Sequence, residues 1–173
     1  MANLILISIA FISLSACGSH LPFVIHSGDT NQVNPSAGLS GQFQTTDQQN
    51  QDLSRSGDLP VVLIFSQDTC AACGQEAESL RSALKNPAAP PDRVRVFTIL
   101  VGAVMEDAID WKNLHRVPWP VGTDLRSELF KQYCTEQTVP CIVVYVPRKG
   151  IVLRRNGPAN LVELSQLTGP WED

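Results

Sequence analysis

Val61-Val62-Leu63-Ile64-Phe65, followed after a short polar step by Cys70-Ala71-Ala72-Cys73, is the stretch that decides the fold. With Leu59-Pro60 ahead of it, this apolar run, rich in β-branched side chains, predicts a buried strand from Leu59 to Phe65, as parallel strands are. Asp68 or Thr69 can cap a helix running from Cys70 to about Lys85, which Asn86-Pro87 would end. Leu80 and Leu84 then lie one turn apart on its core face. A strand that feeds a C-x-x-C at a helix start places two thiols within reach of one disulfide. A second signal stands downstream: Thr138-Val139-Pro140 opens another apolar run, Cys141-Ile142-Val143-Val144-Tyr145-Val146.

Outward from this pair the elements alternate. Arg93 to Val101 predicts a second strand and Glu106 to His115 a helix. Pro118-Trp119-Pro120-Val121 predicts an extended piece or short edge strand, because prolines donate nothing to a ladder. Asp124 can cap a helix from Leu125 to Tyr133. Cys141 to Val146 and Ile151 to Arg155, joined by Arg148-Lys149-Gly150, predict an antiparallel hairpin, and Asn156-Gly157-Pro158 leads into a last helix ending near Leu167. The expectation is an α/β domain over 58–173, a central mixed sheet with helices on both faces.

The N-terminal third reads differently. Leu4 to Leu14 is apolar over a length that suits a signal peptide better than a membrane span. Leu14-Ser15-Ala16-Cys17 follows and resembles the lipobox of bacterial lipoproteins, which implies cleavage after residue 16 and lipid on Cys17. The alternative is a plain secretory signal with a coincidental cysteine; Met1-Ala2-Asn3 lacks the usual positive charge. Residues 17–57 are rich in Ser, Gly, Asn and Gln and show no apolar period, which predicts a flexible tether. A tether of about 40 residues would span roughly 35 Å. Gly18 after Cys17 leans by analogy towards an outer membrane, if the cell has one.

Of the five cysteines, setting Cys17 aside leaves Cys70, Cys73, Cys134 and Cys141. An even number in an exported chain fits two disulfides, and only 70–73 with 134–141 keeps both loops short. Lys and Arg total 13 against 17 Asp and Glu, a formal charge of −4, so no basic excess points to nucleic acid.

The element order and these residues resemble the thioredoxin superfamily, in particular its exported TlpA/ResA-like branch. The resemblance rests on Pro60 to Phe65 before the motif, Cys70 and Cys73, and Glu76 three residues later. It extends through Trp119-Pro120-Val121, Asp124, Phe130 to Tyr133, Val139-Pro140 and the Lys149-Gly150 turn, covering essentially the whole domain. The sequence departs from that pattern in having Thr69 where a tryptophan is usual, Ala71-Ala72 without proline, and Ile64 where thioredoxin itself has a buried acid.

The chemistry implied is thiol–disulfide exchange in the cell envelope. The helix N-terminus stabilises a thiolate, making Cys70 the exposed nucleophile and Cys73 the buried resolving thiol. Glu76 shares a helix face with Cys73 and could shuttle its proton. The resemblance implies a cis peptide at Pro140, with the Val139 backbone binding an extended substrate beside Thr69 and Cys70. Cys134 and Cys141 fit a structural disulfide, a second redox pair, or free thiols. No metal and no cofactor is expected. His115 reads as a helix-end residue, Trp111 and Trp119 as core or groove walls, and Arg154 and Arg155 as strand-end surface charges. Such proteins often act as reductants, as in cytochrome c maturation. The implied partners are disulfide-containing exported proteins, a membrane thiol-transfer protein as electron donor, and the membrane itself through the lipid. The competing classes are a Cu or Zn binding module built on the four cysteines and a redox-inactive binding domain.

Overall fold

The computed structural model describes residues 38–84 and 93–168. The signal segment, Cys17, the tether up to residue 37 and the helix stop at Asn86-Pro87 lie outside these residues. Seven strands form one mixed sheet: β1 Gln42–Thr45, β2 Asn50–Asp52, β3 Val61–Ser66, β4 Arg95–Val101, β5 Val121–Asp124, β6 Cys141–Val146 and β7 Gly150–Asn156. Their order is β2-β1-β5-β4-β3-β6-β7. β3, β4 and β5 run parallel; β6 is antiparallel to β3, and β7 to β6. The helices are α1 Ala71–Leu84, α2 Met105–His115, α3 Glu128–Tyr133 and α4 Leu161–Thr168. The domain is therefore the expected α/β sheet with helices on both faces.

Alternation along β3 divides the core in two. Val62 and Ile64 face Ala77 and Leu80 of α1, Ala108 and Trp111 of α2, and Leu164 of α4. Val61, Leu63 and Phe65 face Leu129, Phe130 and Tyr133 of α3. Six consecutive buried residues in β3 explain why its sequence carries no polar alternation. The crossovers β3–α1–β4 and β4–α2–β5 step the same way across the sheet, so α1 and α2 lie on one face. Asp124, buried at the end of β5, accepts the Glu128 and Phe130 amides at 2.9 and 2.8 Å and so anchors α3, which begins at Glu128 behind a Ser127 cap rather than at Leu125 as expected, because a turn intervenes.

Two expectations need correction. The tether reading of 17–57 fails for its last part, because 42–52 is a β-hairpin paired with β5. Its strand Gln42-Phe43-Gln44-Thr45 alternates exposed and buried, but four residues of period-two pattern are lost in a glutamine-rich composition. Phe43 meets the Phe97 ring edge-on at 5.6 Å and lies so close over Gly122 that any side chain at 122 would collide with it. Tyr133 fixes the lead-in by donating to the Ser40 carbonyl and accepting from its amide, both at 2.7 Å. The second correction follows from the first. Val121 opens an interior strand, not an edge, because β1 covers its free side.

Candidate redox site

The site forms where β3 ends. Ser66 closes the strand, the Cys70 amide donates to the Gln67 carbonyl at 3.3 Å, and α1 begins at Ala71. Cys70 stands immediately before the helix, and its sulfur accepts the Cys73 N–H at 3.1 Å. Side-chain sulfur thus takes the capping role that sequence assigned to Asp68 or Thr69, while Asp68 accepts the amide of its neighbour Thr69 at 2.9 Å. The Cys73 N–H is shared between Cys70 Sγ and the Cys70 carbonyl, each at 3.1 Å, and with the positive end of the helix behind it favours the thiolate when the pair is reduced. In this structure Cys70 and Cys73 form a disulfide with Cα atoms 5.2 Å apart. Cys70 is partly exposed, Cys73 is wholly buried, and Thr69, Ala71 and Ala72 are exposed around them.

Pro140 is brought to the same end of the sheet. The Val139–Pro140 peptide is cis, and the next residue, Cys141, pairs with Phe65 across the β3–β6 ladder. Phe65 precedes Cys70 by only five positions, so sheet register sets the proline arm beside the cysteine turn. Val139 is partly buried against the Phe65 side of the core. The Pro140 carbonyl accepts the Gly157 amide at 2.7 Å.

Glu76 is 3% exposed, buried one turn beyond Cys73. Its Oε2 accepts the Ala159 N–H at 2.8 Å, while Oε1 is buried without a partner. Burial pushes its carboxyl above the ordinary glutamate value, and the Ala159 bond pulls partly back. A carboxyl that holds its proton more tightly when folded stabilises the fold fully below the ordinary value near 4.5, and this contribution fades as pH rises through the folded value. Glu76→Gln is therefore expected to be more stable than wild type at pH 8, with the gap closing towards pH 4. Urea midpoints across that range test it, and a pH-independent gap would refute it.

Cys134 and Cys141 form the second disulfide, with Cα atoms 6.3 Å apart. Each is 1% exposed, in the core around Phe65, Phe130 and Tyr133. His115 ends α2 as expected, but its ring lies against Gly74, the residue after Cys73, 4.6 Å from the Trp111 ring and 3.8 Å from Glu78. Trp111 and Trp119 are buried, and Trp119 Nε1 donates to Thr98 Oγ1 at 2.9 Å. Arg155 is not a free surface charge: it pairs with Glu163 at 2.6 Å and ties β7 to α4. The amides of Gly157 and Ala159 escaped sequence reasoning, because a backbone donor carries no side-chain signal. Among the described residues no three His, Cys, Asp or Glu side chains converge as a metal site, and no helix is long and apolar enough to cross a membrane.

No family model and no curated protein matches the chain. Solved structures do. The chain is similar to dsbF of Mycobacterium tuberculosis (16% identity, TM-score 0.65), covering 75% of this chain and 93% of that one. It is similar to a secreted M. tuberculosis disulfide oxidoreductase homologous to Escherichia coli DsbE (20%, TM-score 0.61, covering 75% and 94%). StoA from Bacillus subtilis gives 20% identity and a TM-score of 0.62, covering 78% and 99%. At these identities the likeness establishes the fold, which is thioredoxin-like. On that fold the chain carries a C-x-x-C disulfide beside a cis-proline arm.

Proposed function

We propose that the protein is a thiol–disulfide oxidoreductase of the bacterial cell envelope, held to a membrane by lipid on Cys17 and facing the periplasm or cell exterior. The observation that carries the reading is the Cys70–Cys73 bond at the start of α1, partly open to solvent at Cys70 and closed at Cys73. An exposed attacking sulfur and a buried resolving sulfur are what exchange requires. The secreted M. tuberculosis neighbour, a disulfide oxidoreductase, supports both the chemistry and the export.

In the reductive direction the reduced Cys70 thiolate attacks a sulfur of an exported protein's disulfide. One substrate sulfur leaves as thiolate and a mixed disulfide forms. Glu76 takes the Cys73 proton, and Cys73 attacks the Cys70 sulfur. The second substrate sulfur leaves and is protonated, so two electrons pass to substrate and the 70–73 disulfide remains. A membrane thiol-transfer protein returns it to the dithiol by the same exchange. The Val139 backbone and Thr69 offer the substrate chain an extended partner next to Cys70. Cytochrome c maturation, which needs reduced cysteines on exported chains, is the kind of process such a reductant would serve.

Equilibration of the chain in thiol–disulfide buffers, with alkylated thiols counted by mass, tests the reading. A two-electron transition of the 70–73 pair near thioredoxin's potential of about −270 mV is expected. A midpoint near DsbA's, about −120 mV, would make the protein an oxidant. No transition would remove the oxidoreductase reading and return the metal or redox-inactive alternatives.

A further inference from the structure

Glu76 and Pro140 sit on different elements, yet one short turn holds both. After β7 the chain passes through Gly157-Pro158-Ala159 before α4. The Gly157 amide donates to the Pro140 carbonyl at 2.7 Å. Two residues on, the Ala159 amide donates to Glu76 Oε2 at 2.8 Å. Pro158 between them has a fixed φ and no amide proton of its own. Gly157 takes φ 97°, which a side chain would strain. The turn is anchored at both ends. Before it, Asn156 pairs with Cys141 in the β6–β7 ladder. After it, Leu164 is buried in the core and Glu163 is pinned to Arg155 at 2.6 Å. A shift of the proline arm therefore moves the Ala159 donor with it.

We propose that the Gly157–Ala159 turn is a positioning element of the redox site, coupling the Val139–Pro140 arm to the protonation of Glu76, so that a substrate chain docked on the arm sets how readily Glu76 accepts the Cys73 proton. The inference rests on the thiol–disulfide reading above. Its physics is simple. An N–H aimed at a carboxylate stabilises the charged form, and withdrawing it makes the carboxyl hold its proton more tightly. The coupling is reciprocal, so the proton on Glu76 also changes the arm's affinity for substrate. Oε1, buried and unpartnered, is the oxygen left to receive the Cys73 proton. The ionisable groups on the surrounding elements include Cys73, Glu78 and Arg81 on α1, His115 of α2 over Gly74 and facing Glu78, Arg154 of β7, and the Arg155–Glu163 pair. Burial and the Ala159 bond alone account for the displacement of Glu76, with no charge pair among the causes. Among the described residues the Ala159 amide is the hydrogen-bond donor to this carboxyl.

The test uses the full chain. Ala159→Pro deletes the donor, and Ala159→Ser keeps it. The rate of Cys70-dependent reduction of a disulfide peptide should rise with pH as Glu76 ionises. Ala159→Pro is expected to move that limb up by about one to two pH units, the usual size of losing one hydrogen bond to a charged group. Ala159→Ser should leave it in place, and Glu76→Gln should abolish it. In the wild-type chain the Ala159 and Gly157 amide resonances should titrate together with the midpoint of that limb. Both should also shift when Cys73→Ser is trapped as a mixed disulfide with the peptide. A folded Ala159→Pro with an unmoved limb overturns the coupling. Should that variant not fold, an Ala159 resonance in wild type that ignores the Glu76 titration overturns it equally. Wild-type protein with no Cys70-dependent exchange at any pH would sink the functional reading and the coupling together, an outcome distinct from either of those.

Discussion

Cys70→Ser is expected to lower the rate of disulfide reduction by at least three orders of magnitude, the scale on which removing a covalent nucleophile acts. A serine hydroxyl is not ionised by a helix N-terminus at neutral pH, and oxygen cannot form the mixed disulfide. The fold should survive, because Cys70 is partly exposed and lies outside the core. Cys73→Ser should behave differently. Cys70 would still attack, but nothing would resolve the adduct, and the chain should accumulate covalently on its substrate. Thiol release from a model disulfide substrate, with the adduct weighed by mass spectrometry, separates the two variants. Equal residual rates with no adduct in Cys73→Ser would contradict the assigned roles.

The second large effect falls on stability. Replacing Cys134 and Cys141 together by alanine should destabilise the fold by about 2.5 kcal/mol, the chain-entropy value for a loop of roughly eight residues. For a domain of this size the melting temperature should drop on the order of 10 °C. The two sulfurs are buried beside Phe65, Phe130 and Tyr133, so a mild reductant that opens 70–73 should leave 134–141 closed in the native state. That behaviour defines a structural bond, and it is the reading we propose. Simultaneous reduction of both pairs without unfolding would instead make 134–141 a second redox couple. The bond joins the residue capping α3 to the residue after Pro140, so its loss should also slow exchange by loosening the proline arm.

Much of the fold was legible because its central strands are buried on both faces. Leu59 to Phe65 and Cys141 to Val146 could hardly be anything else; the first is observed as Val61–Ser66, since Pro60 has no amide to give the ladder, and the second matches at both ends. α1 was legible from Leu80 and from the cysteines at its start. The hairpin was not. Phe43 and Thr45 are its only fully buried strand positions, too few to show against Gln42, Gln44, Gln49 and Gln51. The placement of Val121 inside the sheet depended on that hairpin and was lost with it. At the site, Cys70 and Cys73 could be named from type and spacing, and Glu76 and Pro140 from the family resemblance. What holds Glu76 and Pro140 could not, since the Gly157 and Ala159 amides look alike in every sequence and only topology brings them there.

The hairpin also decides how the molecule behaves in a crowd. A short strand such as β5, left open, would invite a neighbouring copy to add its own strand and begin an aggregate. Here that template is already occupied by β1, and the outermost strand beyond it, Asn50-Gln51-Asp52, is three polar residues long. The opposite border, β7, carries Arg154 and Arg155. Both borders therefore make poor seeds for strand addition between chains.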